Sequence, residues 1–306
     1  MITFTTTNLV DGIKRTAHVP VGNNTFTFEQ FLQIADIEMR TGIAPKIASA
    51  RENYWLTTAR FPIDSTSNKY RIPSKALGGA IVDVKIDGGD VYTHLLRMEV
   101  GSLYSSQFNS APAYSYYLED GCIQLLPADI GGELVMWYYR IPSQLVATSA
   151  CGQITSIVGN DVTVAALPST FVGGAQLDIV GQTPGFYVLL KDEVPVSVVG
   201  NTITFAAVPS DVAVGDWVCL AGQSCVVQCP LEWVGVLEQR CAVKIYEIQG
   251  YEGKRRAAKD SLDEMEKAAL SLVSPRTIEN PKVIIGGGSL LSRVSSGWSL
   301  PVKSGV

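Results

Sequence analysis

The chain is expected to be α+β. It reads as helical towards both ends and β-rich in the middle, with an inserted duplicated small β-barrel or sandwich and an extended C-terminal arm. Three observations lead there. A complete helix-start signature follows residue 25, a second helical periodicity opens at Pro230, and the stretch between them alternates with period two and repeats itself. Residues 156–183 and 197–224 align without gaps at an offset of 41, and 12 of the 28 positions are identical. Gly159-Asn160 matches Gly200-Asn201, Pro168-Ser169 matches Pro209-Ser210, and Gly181-Gln182 matches Gly222-Gln223. A unit of two or three short strands cannot bury its apolar face alone, so two copies are expected to close on each other about a pseudo-twofold axis within 146–229. Apolar residues recur where paired inward faces need them: Val162 with Ile203, Val164 with Phe205, Leu177 with Val218, Ile179 with Leu220.

Residues 1–25 are rich in Thr and Asn and read as an arm or a marginal hairpin. Thr27 then caps a helix, Gln30 completes a capping box, and Phe26 and Phe31 take the staple positions. That helix is expected to run to about Arg40, with Phe28, Phe31, Leu32, Ala35 and Met39 on one face, and to end at Gly42. Pro45 suits the first turn of a second helix carrying Ile47, Ala50, Tyr54 and Thr58, and Pro62 closes the helical segment 26–62.

Over 63–145 the period is two. Ala80, Val82, Val84 and Ile86 alternate with Ile81, Asp83 and Lys85, and Asp87-Gly88-Gly89 turns the chain into a partner strand over 91–98. A short helix is expected at 99–108. Residues 114–117 pair with 122–126 through Glu119-Asp120-Gly121, and Gly131-Gly132 lead into the strongest strand, 133–139. In 230–274, Leu231, Val234, Leu237, Cys241, Ile245 and Ile248 keep three-four spacing until Gly250 and Gly253 interrupt it. Ala258, Leu262, Met265, Ala269 and Leu272 form a second stripe, opposite a solvated face of Lys254, Arg255, Arg256, Asp260, Asp263, Glu264, Glu266 and Lys267. Beyond it, 275–306 loses periodicity and reads as an arm with Gly286-Gly287-Gly288 and four basic residues, Arg276, Lys282, Arg293 and Lys303, against Glu279.

The 306 residues leave room for two or three domains. Charged residues are 17%, below the usual ~25%. An oligomer whose surface is covered by neighbours gives that figure, and so does a β-protein rich in Thr, Ser and Gly. A net charge of −5 leaves no electrostatic footprint for gripping phosphates; a surface past which DNA merely slides needs none. Six cysteines (Cys122, Cys151, Cys219, Cys225, Cys229, Cys241) contain no CxxC pair, and only His18 and His94 could assist as ligands. Buried or free thiols are therefore expected rather than a metal site, in a reducing cytoplasm. No signal-peptide pattern and no apolar run of membrane-spanning length occur.

No catalytic signature stands out. There is no Walker-type or dinucleotide glycine loop, no GxSxG and no HExxH, and two histidines are a poor supply for a Ser-His-Asp set. The carboxylates Asp83 with Asp87 and Glu119 with Asp120 could serve a glycosidase only if the fold paired them; Glu119-Asp120-Gly121 fits a hairpin turn better. Gly286-Gly287-Gly288 precedes no helix start and reads as linker, and the aromatics of 114–117 and 137–139 read as half core, half subunit contact. No catalytic residue, metal or cofactor is expected, and the chain reads as a non-enzyme.

Several strings in this order resemble one family. Tyr70-Arg71-Ile72-Pro73-Ser74-Lys75-Ala76 precedes a strand with Val82-Asp83-Val84, and Tyr117-Leu118-Glu119-Asp120-Gly121-Cys122 precedes Gly132-Glu133-Leu134. Trp137-Tyr138-Tyr139-Arg140-Ile141-Pro142 leads out of the sheet, and Leu272-Val273-Ser274-Pro275-Arg276 ends the last helix, with Pro281-Lys282 beyond. The chain is similar in these to the head-to-tail adaptor (connector) proteins of tailed bacteriophages; the repeat departs from a minimal adaptor. The resemblance implies a virion protein of the neck, assembled in the host cytoplasm as a ring of commonly twelve copies between portal and tail. Its partners would be further copies of itself, the portal protein and a tail nozzle or tail-tube protein, with DNA as non-specific cargo in the channel and no membrane. It further implies that the two terminal helix pairs join as one discontinuous helical bundle, that the β-regions face the tail, and that the arm docks on the portal or a neighbouring subunit. Arg276, Lys282, Arg293 and Lys303 would then be docking residues, with Trp298 as anchor. Rival readings are a carbohydrate-binding tail or baseplate protein and a tail-associated cell-wall hydrolase.

Overall fold

The computed structural model describes residues 4–20, 25–63, 68–89, 91–99, 114–126, 131–172 and 174–273, and it is α+β. The arm of 275–306, with Arg276, Lys282, Arg293, Trp298 and Lys303, lies outside the described residues, as does nearly all of the short helix expected at 99–108.

The start of the chain is not an arm or hairpin but a helix, α1 (Thr6–Thr16). Leu9, Val10, Ile13 and Ala17 share one face and are all buried, which outweighs the modest helix propensity of the Thr and Asn around them. Thr6 fixes the entry: its Oγ1 donates to the Val146 carbonyl at 2.8 Å and its amide to that of Cys225 at 2.8 Å. α2 (Phe28–Glu38) begins as expected. Thr27 N donates to Gln30 Oε1 at 2.8 Å and Gln30 N to Thr27 Oγ1 at 3.3 Å, while the Phe26 and Phe31 rings lie 5.6 Å apart.

Gly42 does not stop that helix. A π-turn, Met39–Ile43, carries it directly into α3 (Ala44–Ala50), with Pro45 in the first turn. Gly42 instead leaves room for the Arg240 guanidinium, which occupies the place a Cβ would take. Because α3 ends at Ala50, Tyr54 falls in a 3-10 turn (Glu52–Trp55) and Thr58 in a strand, so the helical face expected of them does not form.

α4 (Leu231–Gln249) and α5 (Glu252–Val273) are separated by Gly250 in the left-handed region, φ 73°. Leu9, Phe31, Ile47, Leu237, Ile245 and Leu262, from all five helices, belong to one core. α4 packs on α1, α2 and α5, and so buries Trp233, Val236 and Ala242 besides the expected stripe, while Leu231 and Ile248 at its ends stay exposed. Glu266, expected on a solvated face, is buried. Arg240 sits between it and Glu38, with Nη1 2.6 Å from Glu266 Oε1 and Nε 2.8 Å from Glu38 Oε2, and Lys46 also pairs with Glu266.

The middle of the chain supplies β1 (Leu56–Pro62), β2 (Lys69–Arg71), β3 (Ala76–Asp87), β4 (Tyr92–His94), β5 (Leu96–Arg97), β6 (Ser115–Glu119), β7 (Cys122–Leu126) and β8 (Glu133–Arg140). They form two four-stranded sheets, β1-β8-β3-β4 and β2-β7-β6-β5, over a shared core of Val84, Ile86, Ile123, Leu125, Leu134 and Met136. Asp120 and Gly121 (φ 50° and 68°) make the two-residue turn between β6 and β7, closed by Glu119 opposite Cys122. A register shift between Ile81 and Asp83 turns Val82 to solvent, so the alternation read along β3 buries only Val84 and Ile86.

The repeat follows: β9 (Gln144–Leu145), β10 (Gly152–Val158), β11 (Asp161–Val164), β12 (Leu177–Val180), β13 (Val188–Glu193), β14 (Ser197–Val199), β15 (Thr202–Thr204), β16 (Trp217–Leu220) and β17 (Gln223–Ser224). The pseudo-twofold relation is present in the ladder. β11 and β15 pair about Val162 opposite Ile203, and β12 and β16 pair about Asp178 opposite Cys219, each a pair of repeat-equivalent residues. Reciprocal bonds repeat the relation: Val164 N donates to Asn201 O at 2.9 Å and Phe205 N to Asn160 O at 3.0 Å. Ile154, Val162, Val164, Phe171, Leu177, Ile179, Ile203, Phe205 and Val218 fill one core.

Of the barrel or sandwich expected, a closed barrel does not form among the described residues. The strand order is β13-β12-β16-β10-β11-β15-β14, with β13 and β14 at opposite ends of one open sheet. In the first copy the leading strand is continuous; in the second it breaks at Val194-Pro195-Val196 into β13 and β14. Pro195 aligns with Ile154, whose amide donates to Asp216 O at 2.8 Å, and a proline has no such donor.

Candidate functional site

Along β12 and β16, successive side chains point to opposite faces. Leu177, Ile179 and Val218 enter the core of the repeat, so Asp178, Val180, Trp217 and Cys219 lie on the other face, where Val180, Trp217 and Cys219 pack with Val146, Cys151, Cys225 and Val226 of the same segment and Asp178 reaches beyond it. Asp178 meets Arg140 at the end of β8. Both side chains are fully buried, with Arg140 Nη2 2.5 Å from Asp178 Oδ2. The same carboxylate accepts from the amides of Asp192 (2.7 Å) and Gly222 (2.8 Å), and Lys75 Nζ lies 3.8 Å away. Arg140 Nε and Nη1 have no hydrogen-bond partner among the described residues.

Beside this pair the ladder between β12 and β13 is irregular. Leu177 faces Glu193 and Ile179 faces Leu190, so Lys191 and Asp192 together stand opposite Asp178. Asp192 takes a left-handed φ of 55° and pairs with Lys75. Lys191 donates to Thr57 Oγ1 of β1, and burial, reinforced by the Arg140 charge, pushes its ammonium below the usual lysine range. Lys75, Lys191 and Asp192 border a cleft of about 710 Å³ together with Arg60, Arg71, Ser74 and Tyr138. Burial raises the Tyr138 phenol above its ordinary value. Arg60 is engaged by Asp87 at 2.8 Å and Glu133 at 2.9 Å.

The cysteines divide. Cys225, Cys229 and Cys241 are buried free thiols, pushed well above the ordinary range by burial, and Cys122 is a half-exposed free thiol. Cys151 and Cys219, also expected as thiols, are joined as a disulfide, and Cys225 Sγ lies within 4.8 Å of both. A reducing cytoplasm does not favour such a pairing.

Of the sequence-derived candidates, Glu119-Asp120-Gly121 is the hairpin turn. Asp83 and Asp87 are not brought together as a working pair: Asp87 holds Arg60, and Asp83 accepts from the Val84 amide and faces Lys85. Tyr116 and Tyr138 are buried, while Trp137 is half-buried beneath the Lys85 ammonium, 4.7 Å from its ring. The group around Asp178 was missed as a site. One signal was available, since Asp178 interrupts an apolar strand (Leu-Asp-Ile-Val) where the second copy carries Cys219. Among the described residues no helix is long and apolar enough to cross a membrane. No family model matches the chain, and no curated protein matches it in sequence.

Proposed function

We propose that this chain is a structural, non-enzymatic adaptor that forms a ring between the portal and the tail of a tailed phage. DNA passes through its channel, and the ring holds about twelve copies, by the family resemblance. On this reading the fold is a discontinuous helical bundle with a β-rich middle and a duplicated β-module inserted between its halves, and the arm after residue 275 docks on the portal or a neighbouring subunit. Portal and tail nozzle or tube are its partners, and the virion neck is its place. The observation that carries the reading is that Phe31 and Leu32 of α2 share a core with Leu237 and Ile245 of α4, although the whole β-structure lies between them in sequence. Exposed Tyr187, Leu231 and Leu272 around one groove offer apolar surface for a neighbouring subunit. Light scattering of the purified chain alone and mixed with the portal protein of its genome, followed by negative-stain imaging, tests the proposal. A ring seated on the portal is expected. A chain that stays monomeric and leaves portal particles bare overturns it, and clearing of peptidoglycan or saturable binding to a glycan array would replace it.

A further inference from the structure

The cleft beside the Arg140–Asp178 pair plays no part in the adaptor reading. Arg60 is taken up by Asp87 and Glu133, and Lys75 by Asp192 with Asp178 behind it. Arg71 and Lys191 line the same cleft and enter no ion pair among the described residues. Lys191 is the more telling of the two. The residue is half-buried, its ammonium donates to the Thr57 hydroxyl, and burial with the nearby Arg140 guanidinium lowers its pKa against the opposing pull of Asp178 and Asp192. Three cations, Lys75, Arg140 and Lys191, thus face two carboxylates, Asp178 and Asp192. Desolvated positive charge in excess is unfavourable until a counter-charge arrives. The backbone is shaped around this spot: Asp192 holds a left-handed φ of 55° at an irregularity in the ladder, and both features gather at binding sites. The cleft, about 710 Å³, lies in the size range of small-ligand sites.

We propose that this cleft is a binding site for a small oxyanion ligand, a phosphate- or carboxylate-bearing molecule whose charged group is received by Lys191 and Arg71, with the Ser74 hydroxyl at the rim. Charge-assisted hydrogen bonds from a lysine and an arginine are the usual means of holding such groups.

Calorimetric titration of the full chain with pyrophosphate and, separately, with citrate tests this, with sodium chloride holding ionic strength constant. Saturable binding of at least one anion is expected, weakened about tenfold or more by Lys191→Met and by Arg71→Gln and unchanged by Lys254→Gln on α5. Pyrophosphate binding with citrate silent assigns the site to phosphates, and the reverse assigns it to carboxylates. Absence of saturation by either anion up to about 10 mM overturns the proposal, as does equal binding by all four proteins, which would be general surface attraction. Should Lys191→Met disturb the neighbouring buried pair and unfold the chain, Arg71→Gln on an exposed strand position still decides. Failure here leaves the adaptor reading untouched, because that reading is tested by assembly with the portal.

Discussion

Arg140 and Asp178 are sealed from solvent on both sides, so each is tolerable only while the other is present. Removing one partner of such a pair strands a buried charge and typically costs about 3–5 kcal/mol. Asp178→Asn should show a loss of at least that size in urea denaturation at neutral pH, because it removes the charge facing Arg140 and keeps an acceptor oxygen for only one of the Asp192 and Gly222 amides, which bond different carboxylate oxygens. A loss under about 1 kcal/mol would mean that the guanidinium finds water or another acceptor. Glu238 is the opposite kind of residue. Its carboxylate packs against Gly12 of α1, and burial raises its pKa above the ordinary 4.5, with Arg15 opposing. An acid with a raised folded-state pKa binds more protons when folded, so its ionisation erodes stability as pH climbs from the ordinary value through the raised one. Glu238→Gln should therefore raise the melting temperature at pH 7 and make no difference below pH 4.5. A lower melting temperature at pH 7 would show that the Arg15 attraction outweighs desolvation.

Elements were legible in the sequence where their signals are local and lost where tertiary packing decides. Thr27 with Gln30, and Asp120 with Gly121, each act within four residues, and both occur as read. α1 shows the limit. Its Thr and Asn content argues for extended chain, yet Leu9, Val10 and Ile13 have a ready core in α4 and that burial prevails. Leu9→Ala or Ile13→Ala should accordingly cost about 2–5 kcal/mol each, against almost nothing for Thr7→Ala on the exposed face. Equal, small effects at all three positions in chemical denaturation would return this segment to the status of a loose arm. Gly42 misled for a related reason. Glycine usually closes a helix, but here its missing side chain admits Arg240 from a helix nearly two hundred residues later, which no local pattern announces.

At the scale of the whole molecule, the repeat was legible as a pseudo-symmetric pair, while its junction with the rest of the chain was not. Symmetry predicts contacts between copies; it says nothing about the positions at which the copies have diverged, and those make the junction. Asp178 and Cys219 are equivalent in the repeat and opposite one another in the ladder, yet Asp178 reaches out to Arg140 while Cys219 is bonded to Cys151 within the module. The module closes its own core on the inner side with Ile154, Val162, Leu177, Ile203 and Val218, and on the outer side Val180, Cys219, Cys225 and Val226 cluster among themselves, so Asp178 is the point where it leans on the rest of the chain. Expressed alone, residues 146–229 should give a β-type circular dichroism spectrum and a cooperative melt, at a lower temperature than the intact chain because Asp178 loses its Arg140 and Lys75 partners. In that fragment Arg140 is absent, so the Asp178 carboxylate faces water rather than a buried guanidinium. Asp178→Asn should then cost clearly less in the fragment, where water can take up the amide that Asn no longer serves, than in the full chain, where it also strands the Arg140 charge. A random-coil spectrum would show that the inner core cannot hold the module together without the junction. An equal cost in both backgrounds would mean that Asp178 stabilises the module by bonding the Asp192 and Gly222 amides, with Arg140 merely accommodated beside it.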